Sequence, residues 1–250
     1  MGSSAAKPRL ETGGAWLISL INKGEAFAWA ERYGFPRAVV LEPDERGCTP
    51  LHVAATQHCL PVVAAAVREA GDMLTTQDFL TPNRRGWTPL HNAAAAEGMW
   101  EVAAILREAG ETLLVRHLLT PDLDGDTPLH AAAHAKGLAS LHVAVRKAGQ
   151  RLGVQDWLAE NEEGISPMEA AAFAENLREV FWPEEWQGRL AEMAELWRHV
   201  PEKYREQVDF EKAAHEAALL SRPRLEAASF RGAARPSIPL PEKEGHGRRW

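Results

Sequence analysis

Three histidines are the first candidates for chemistry. His52, His91 and His130 each follow Thr-Pro-Leu, and neutral imidazole is a common metal ligand. They are separated by equal steps of 39 residues, which makes them one position of a repeated module rather than a converging ligand set. A zinc-type site needs every donor within about 2.0–2.3 Å of one point. His130 and His134 stand at i, i+4 and would project from one face of a helix as a ligand pair. No acidic residue or cysteine stands at metal-site spacing from them. Cys48 and Cys59 do not form a Cys-x-x-Cys motif. The chain holds no Gly-x-Ser-x-Gly, no phosphate loop and no Gly-x-Gly-x-x-Gly following a strand. The acid pairs Glu162-Glu163 and Glu184-Glu185 fit a turn and a helix N-terminus, where negative charge is favoured. These residues point away from an enzyme, a metal protein or a cofactor carrier.

The spacing of the histidines leads to the elements that carry them. Thr49-Pro50-Leu51-His52 recurs as Thr88-Pro89-Leu90-His91 and Thr127-Pro128-Leu129-His130, with a decayed copy at Ser166-Pro167-Met168-Glu169. Other positions keep the same step. Asp44, Asn83, Asp122 and Asn161 precede the Thr/Ser by five residues, and Gly47, Gly86, Gly125 and Gly164 by two. Alanine pairs follow at 54–55, 93–94, 132–133 and 171–172, and Gly71, Gly110 and Gly149 close the units.

Each residue type has a local reason. Asp/Asn-x-x-Gly is a turn, its side chain bonding its own backbone and its glycine free to take positive φ. Thr or Ser before Pro starts a helix, the hydroxyl capping and Pro filling the first helical position. The alanines let a second helix approach closely. After a break, at Gly98 and Gly137 in two of the copies, the helical spacing of residues such as Val102, Ile105 and Leu106 predicts further helices over Pro61–Ala70, Trp100–Ala109 and Ala139–Ala148.

The Asp/Asn-x-x-Gly-x-Thr-Pro-Leu-His pattern over residues 41–176 resembles the ankyrin repeat. That resemblance implies an all-α solenoid of antiparallel helix pairs, with the histidines hydrogen bonding between adjacent loops. Ankyrin units are usually 33 residues, whereas these are 39. The added segments, Leu74–Leu80, Leu113–Leu119 and Leu152–Leu158, predict one extra short helix in each connector, and Thr75/Thr76 with Gln77-Asp78 reads as its cap.

A solenoid needs terminal units to cover its open core. Residues 1–40 read as an N-terminal capping helix pair, Gly14–Asn22 and Glu25–Arg32, followed by repeats over 41–181. Residues 182–221 read as a C-terminal helical cap, with a helix from Trp182 placing Trp186, Leu190, Met193, Trp197 and Val200 on one face. Pro201 and Asp209 open two more helical segments, and 222–250 reads as a flexible basic tail.

Composition sets the outer bounds. The 250 residues are 45% hydrophobic and 25% charged, the balance of a folded protein with a sizeable core. The apolar run Ala15–Ile21 is far short of the ~20 residues of a membrane span, and its flanks do not suit a signal peptide. Ala6 stands where an N-myristoylation motif needs Ser or Thr. Two cysteines make no disulfide framework, so the cytoplasm is the expected compartment. Setting aside the seven Lys/Arg and three acids of 222–250 leaves 21 basic and 32 acidic residues in the body, which argues against nucleic acid.

The expected function is therefore non-enzymatic: a scaffold or adaptor holding a protein partner, with self-association left open. In the ankyrin-like resemblance, the variable turn residues and the ends of the first helices point from the concave face to the partner. Here these are Glu45, Arg46 and Cys48, then Arg84, Arg85 and Trp87, then Leu123, Asp124 and Asp126, then Glu162, Glu163 and Ile165, with Gln57 and His58, Ala96 and Glu97, and Ala135 and Lys136 at the helix ends. Trp87 is either a contact residue, since Trp and Arg dominate binding hot spots, or packed on the inserted helix of its own repeat. The alternative is a regulatory subunit or immunity-type inhibitor engaging a larger complex through residues 182–250.

Overall fold

The computed structural model describes residues 13–26, 28 and 34–221. All regular elements among them are helical. After α1 (Gly14–Asn22) and α2 (Arg37–Val40), one pattern recurs. A short inner helix is followed by a longer outer helix and a one-turn connector helix: α3 (Pro50–Thr56), α4 (Leu60–Glu69), α5 (Thr76–Phe79). The next copy is α6 (Pro89–Ala95), α7 (Met99–Glu108), α8 (Val115–Leu118). The third is α9 (Pro128–His134), α10 (Leu138–Lys147), α11 (Val154–Leu158), and the last pair is α12 (Pro167–Phe173) and α13 (Leu177–Val180). The outer helices thus begin one residue before their predicted starts, and the inserted segments carry the expected short helices. The remainder of the predicted Glu25–Arg32 helix and the 222–250 tail lie outside the described residues.

Inner helices pack in sequence order, α1 on α3, α3 on α6, α6 on α9, α9 on α12, and outer helices likewise, α4 on α7, α7 on α10, α10 on α13. This is an α-solenoid. Its core repeats with the sequence. Leu51, Leu90, Leu129 and Met168 are buried, and so are all four alanine pairs, whose small side chains let the inner helices meet. Phe79, Leu118 and Trp157 bury the connector helices, and Leu74, Leu113 and Leu152 lead into them.

Hydrogen bonds to helix ends run between copies. Thr75 caps α5 with Asp78, whose carboxylate accepts from the Thr75 N–H at 2.8 Å. The Thr76 N–H donates to Glu111 at 2.7 Å, and the Val115 N–H to Gln150 at 2.7 Å. The first two connector helices therefore each have a free N-terminal amide satisfied by the following repeat. Arg37 on α2 reaches Asp78 on α5 with two bonds, 2.9 and 2.7 Å, and Asp78 is almost fully buried. This pairing holds the Arg37 guanidinium further above its already high ordinary value.

The C-terminal cap differs from its prediction. Residues 183–188 form successive turns with Gly188 at φ +75°, and the helix, α14, spans only Leu190–His199. The turn bonds Glu185 N–H to Trp182 O and Trp186 N–H to Pro183 O bend the chain before the helix starts. Trp186 is still buried, and its Nε1 donates to Val180 O at 2.9 Å, but Leu190 is partly exposed. A 3₁₀ helix (Glu202–Gln207) follows Pro201, and α15 (Phe210–Leu220) follows Asp209, whose carboxylate accepts from the Lys212 N–H. No helix among the described residues is long and apolar enough to cross a membrane.

Candidate partner-binding surface

The turns that precede the inner helices are built alike. Asp44 Oδ1 accepts from the Arg46 and Cys48 amides, both at 2.8 Å. Asn83 serves Arg85 and Trp87, Asp122 serves Asp124 and Asp126, and Asn161 serves Glu163 and Ile165. The side chain at the base of each turn is thereby spent on backbone, and the residues at the tip face outward. Gly86 takes φ +81°, and a Cβ there would lie 2.6 Å from the Leu123 amide nitrogen of the next turn. Glycine is required both for the turn and for the close stacking of turns.

Consecutive tips are joined by backbone hydrogen bonds. The Arg84 N–H donates to Arg46 O at 3.2 Å, Leu123 N–H to Arg85 O at 3.2 Å, and Glu162 N–H to Asp124 O at 3.1 Å. The four tips thus form one continuous edge. The histidines reinforce it from beneath. His52 Nε2 bonds Trp87 O, His91 Nε2 bonds Asp126 O, and His130 Nε2 bonds Ile165 O, each at 3.0 Å. Each Nδ1 accepts from the Thr N–H of its own cap, at 3.1 to 3.2 Å. A carbonyl on one side and an amide on the other select the neutral tautomer protonated at Nε2. Burial lowers the pKa of all three imidazoles, partly opposed by the carbonyl bonds. In the last repeat Glu169 replaces histidine. It accepts from the Ser166 N–H at 3.1 Å, and no fifth copy of the turn follows in sequence for it to bond.

Both ring nitrogens of His130 are committed to these bonds, so His130 and the exposed His134 do not offer a ligand pair. Among the described residues no group of three or more His, Cys, Asp or Glu is placed to hold a metal ion.

The structure brings most of the predicted contact residues together. Arg46, Arg84 and Arg85 are exposed, and with Glu45, Cys48 and Asn83 they line an open cleft between the first two tips. Cys48 Sγ accepts from Asn83 Nδ2 at 3.4 Å. Trp87 is half-buried, stacked on the His91 ring at 5.6 Å between centroids, so it packs on the inner helix of its own repeat. Asp124 is exposed, and Asp126 accepts from Asn161 Nδ2 at 2.7 Å.

Glu97 and Lys136 are exposed but belong elsewhere, at the far ends of α6 and α9, about 10 Å along those seven-residue helices from the turns. Their backbones also differ. Glu97 takes φ +61°, as His58 and Glu175 take +55° and +60°, whereas Lys136 does not. Ala135 there has ψ −168° in place of the values near zero of its counterparts, and its carbonyl accepts from Asn176 Nδ2 at 2.6 Å.

Leu123, one of the variable turn residues, is the most exposed large apolar residue of the described chain at 66%. It is a leucine at a turn-tip position that holds Glu45, Arg84 and Glu162 in the other copies. No family model matches this chain, and no curated protein matches it in sequence.

Proposed function

We propose that this protein is a non-enzymatic binding scaffold of the ankyrin-repeat type that holds a protein partner along its row of turn tips. One observation carries the reading. The tips are locked into a continuous edge by backbone and histidine hydrogen bonds, yet the side chains of Arg46, Arg84, Arg85, Leu123 and Asp124 make no hydrogen bond or ion pair within the described chain. A rigid frame presenting unspent charged and apolar groups suits recognition, because the backbone that carries them needs little further ordering on binding. Trp87, fixed on His91, adds a rigid aromatic edge to the same row.

The test is retention of the native partner in affinity purification. Arg84→Glu/Arg85→Glu should lose it while the circular dichroism spectrum stays helical. Retention at the wild-type level would sink the assignment.

A second reading places the partner on the C-terminal cap, as a regulatory or inhibitory subunit would. It is favoured by the exposure of Trp182, Leu219 and Leu220. Deleting 222–250, with Leu219→Ser/Leu220→Ser as a separate variant, distinguishes the two: loss of the partner in these variants alone favours the cap.

A further inference from the structure

The tips are ordered by charge along the stack. The first two carry Arg46, Arg84 and Arg85, and Glu45 is the one acid lining their cleft. The third carries Leu123, Asp124 and Asp126, and the fourth Glu162 and Glu163. The order survives with the turn-base acids counted: three arginines stand against Asp44 and Glu45 in the first two turns, whereas Asp122, Asp124, Asp126, Glu162 and Glu163 stand without a Lys or Arg in the last two. None of the ion pairs among the described residues includes a tip residue, so the two halves do not neutralise each other. The bond from Leu123 N–H to Arg85 O fixes the boundary between halves, with Leu123 exposed at that boundary.

Resting on the turn-row reading above, we propose that the partner is engaged as an extended segment in one orientation. Its acidic end lies on Arg46, Arg84 and Arg85, an apolar residue meets Leu123, and its basic end lies on Asp124, Glu162 and Glu163. The second and fourth tips are two helix-packing steps apart. That is roughly 16–20 Å, the reach of about five or six extended residues. Each exposed pair contributes little alone, but a polar row of them rejects the reversed register, where like charges face each other.

The probe is a fluorescein-labelled peptide Glu-Glu-Gly-Leu-Gly-Gly-Lys-Lys, compared with all-acid (Glu-Glu-Gly-Leu-Gly-Gly-Glu-Glu) and all-basic (Lys-Lys-Gly-Leu-Gly-Gly-Lys-Lys) versions. Anisotropy is read at about 20 mM salt, where screening is weak. The dipolar peptide should bind the full chain at least about tenfold tighter than either control. Arg84→Glu/Arg85→Glu and Glu162→Lys/Glu163→Lys should each abolish that preference.

Orientation is read through Cys48, in a Cys59→Ser background. A 2-pyridyl disulfide on the peptide exchanges with the Cys48 thiol: the protein–peptide disulfide forms, the peptide–pyridyl disulfide breaks, and pyridine-2-thione leaves with the proton. The reagent should label faster from the acidic end of the peptide than from the basic end.

Two failures are distinguishable. If the all-acid and dipolar peptides bind equally and only the arginine variant loses both, the polarity is wrong and the turn row stands. If no peptide binds while the Arg84→Glu/Arg85→Glu variant still loses the native partner, the extended-segment proposal falls and the turn row stands; if both peptide binding and partner retention ignore the arginine variant, the two fall together.

Discussion

His91 Nε2 lies 3.0 Å from the carbonyl oxygen of Asp126, one repeat further along the chain. A single ring thus caps its own helix through Nδ1 and the next turn through Nε2. Replacing His91 with Ala leaves the buried Thr88 amide without a partner and takes one of two bonds from the Asp126 carbonyl, which still accepts from the Asp122 N–H at 2.8 Å, so it should cost about 2 kcal/mol, within the roughly 1–3 kcal/mol of an unsatisfied buried group. Glu169→Ala breaks only a local cap and should cost about 1 kcal/mol. Urea unfolding of the two variants checks the ranking.

Acid should loosen the stack through the same rings. Burial sets the folded pKa of His52, His91 and His130 below the unfolded value of about 6.5. Below that value the unfolded chain binds more protons than the folded one. Stability is therefore full above about pH 6.5 and falls as pH drops towards the folded pKa values. The urea midpoint should fall between about pH 7.5 and pH 5.5, and the fall should shrink in a His52→Gln/His91→Gln/His130→Gln variant.

Gly86 and Gly164 share a positive φ but not a neighbour. A Cβ at Gly86 meets the next turn, whereas one at Gly164 meets nothing within 4 Å. Gly164→Ala should cost only the backbone strain, about 1–2 kcal/mol. Gly86→Ala should cost more, because the tips must part. Thermal unfolding of both variants isolates the contribution of turn stacking.

Asp78 is 3% exposed and depends on Arg37. Arg37→Met leaves the buried carboxylate with its Thr75 bonds but no countercharge, at a cost of about 2–3 kcal/mol, below the usual range for a fully buried pair because Arg37 is itself one-third exposed. The lost stability should appear as faster amide exchange in α2 and α5.

The repeat made the stack readable before any coordinates. At Thr88, His91, Gly86 and the paired alanines, several copies repeat one local requirement, so turn, cap and close approach can be read from residue type alone. What departs from the period was not readable in this way. His142 replaces the alanines Ala64 and Ala103 because its helix faces the cap, where its ring lies 3.5 Å from Glu185. The apolar stripe from Trp186 to Val200 mimicked one continuous helix, because a buried turn and a helix can both place Trp186 in the core. Arg37 with Asp78, and Thr76 with Glu111, are set by packing between copies, which spacing along one chain does not encode. At the surface, the turn positions were legible as a class. Which of them are spent internally was not: Trp87 leans on His91, and Asp126 on Asn161.

The most direct measurement compares partner retention, by quantitative affinity purification from the native cell, for three forms of the full chain. These are the wild type, Arg84→Glu/Arg85→Glu on the turn row, and Trp100→Ala on the outer helix α7. Loss of the partner in the arginine variant alone, with all three equally helical, is the predicted result. Equal retention by the wild type and the arginine variant would contradict the account.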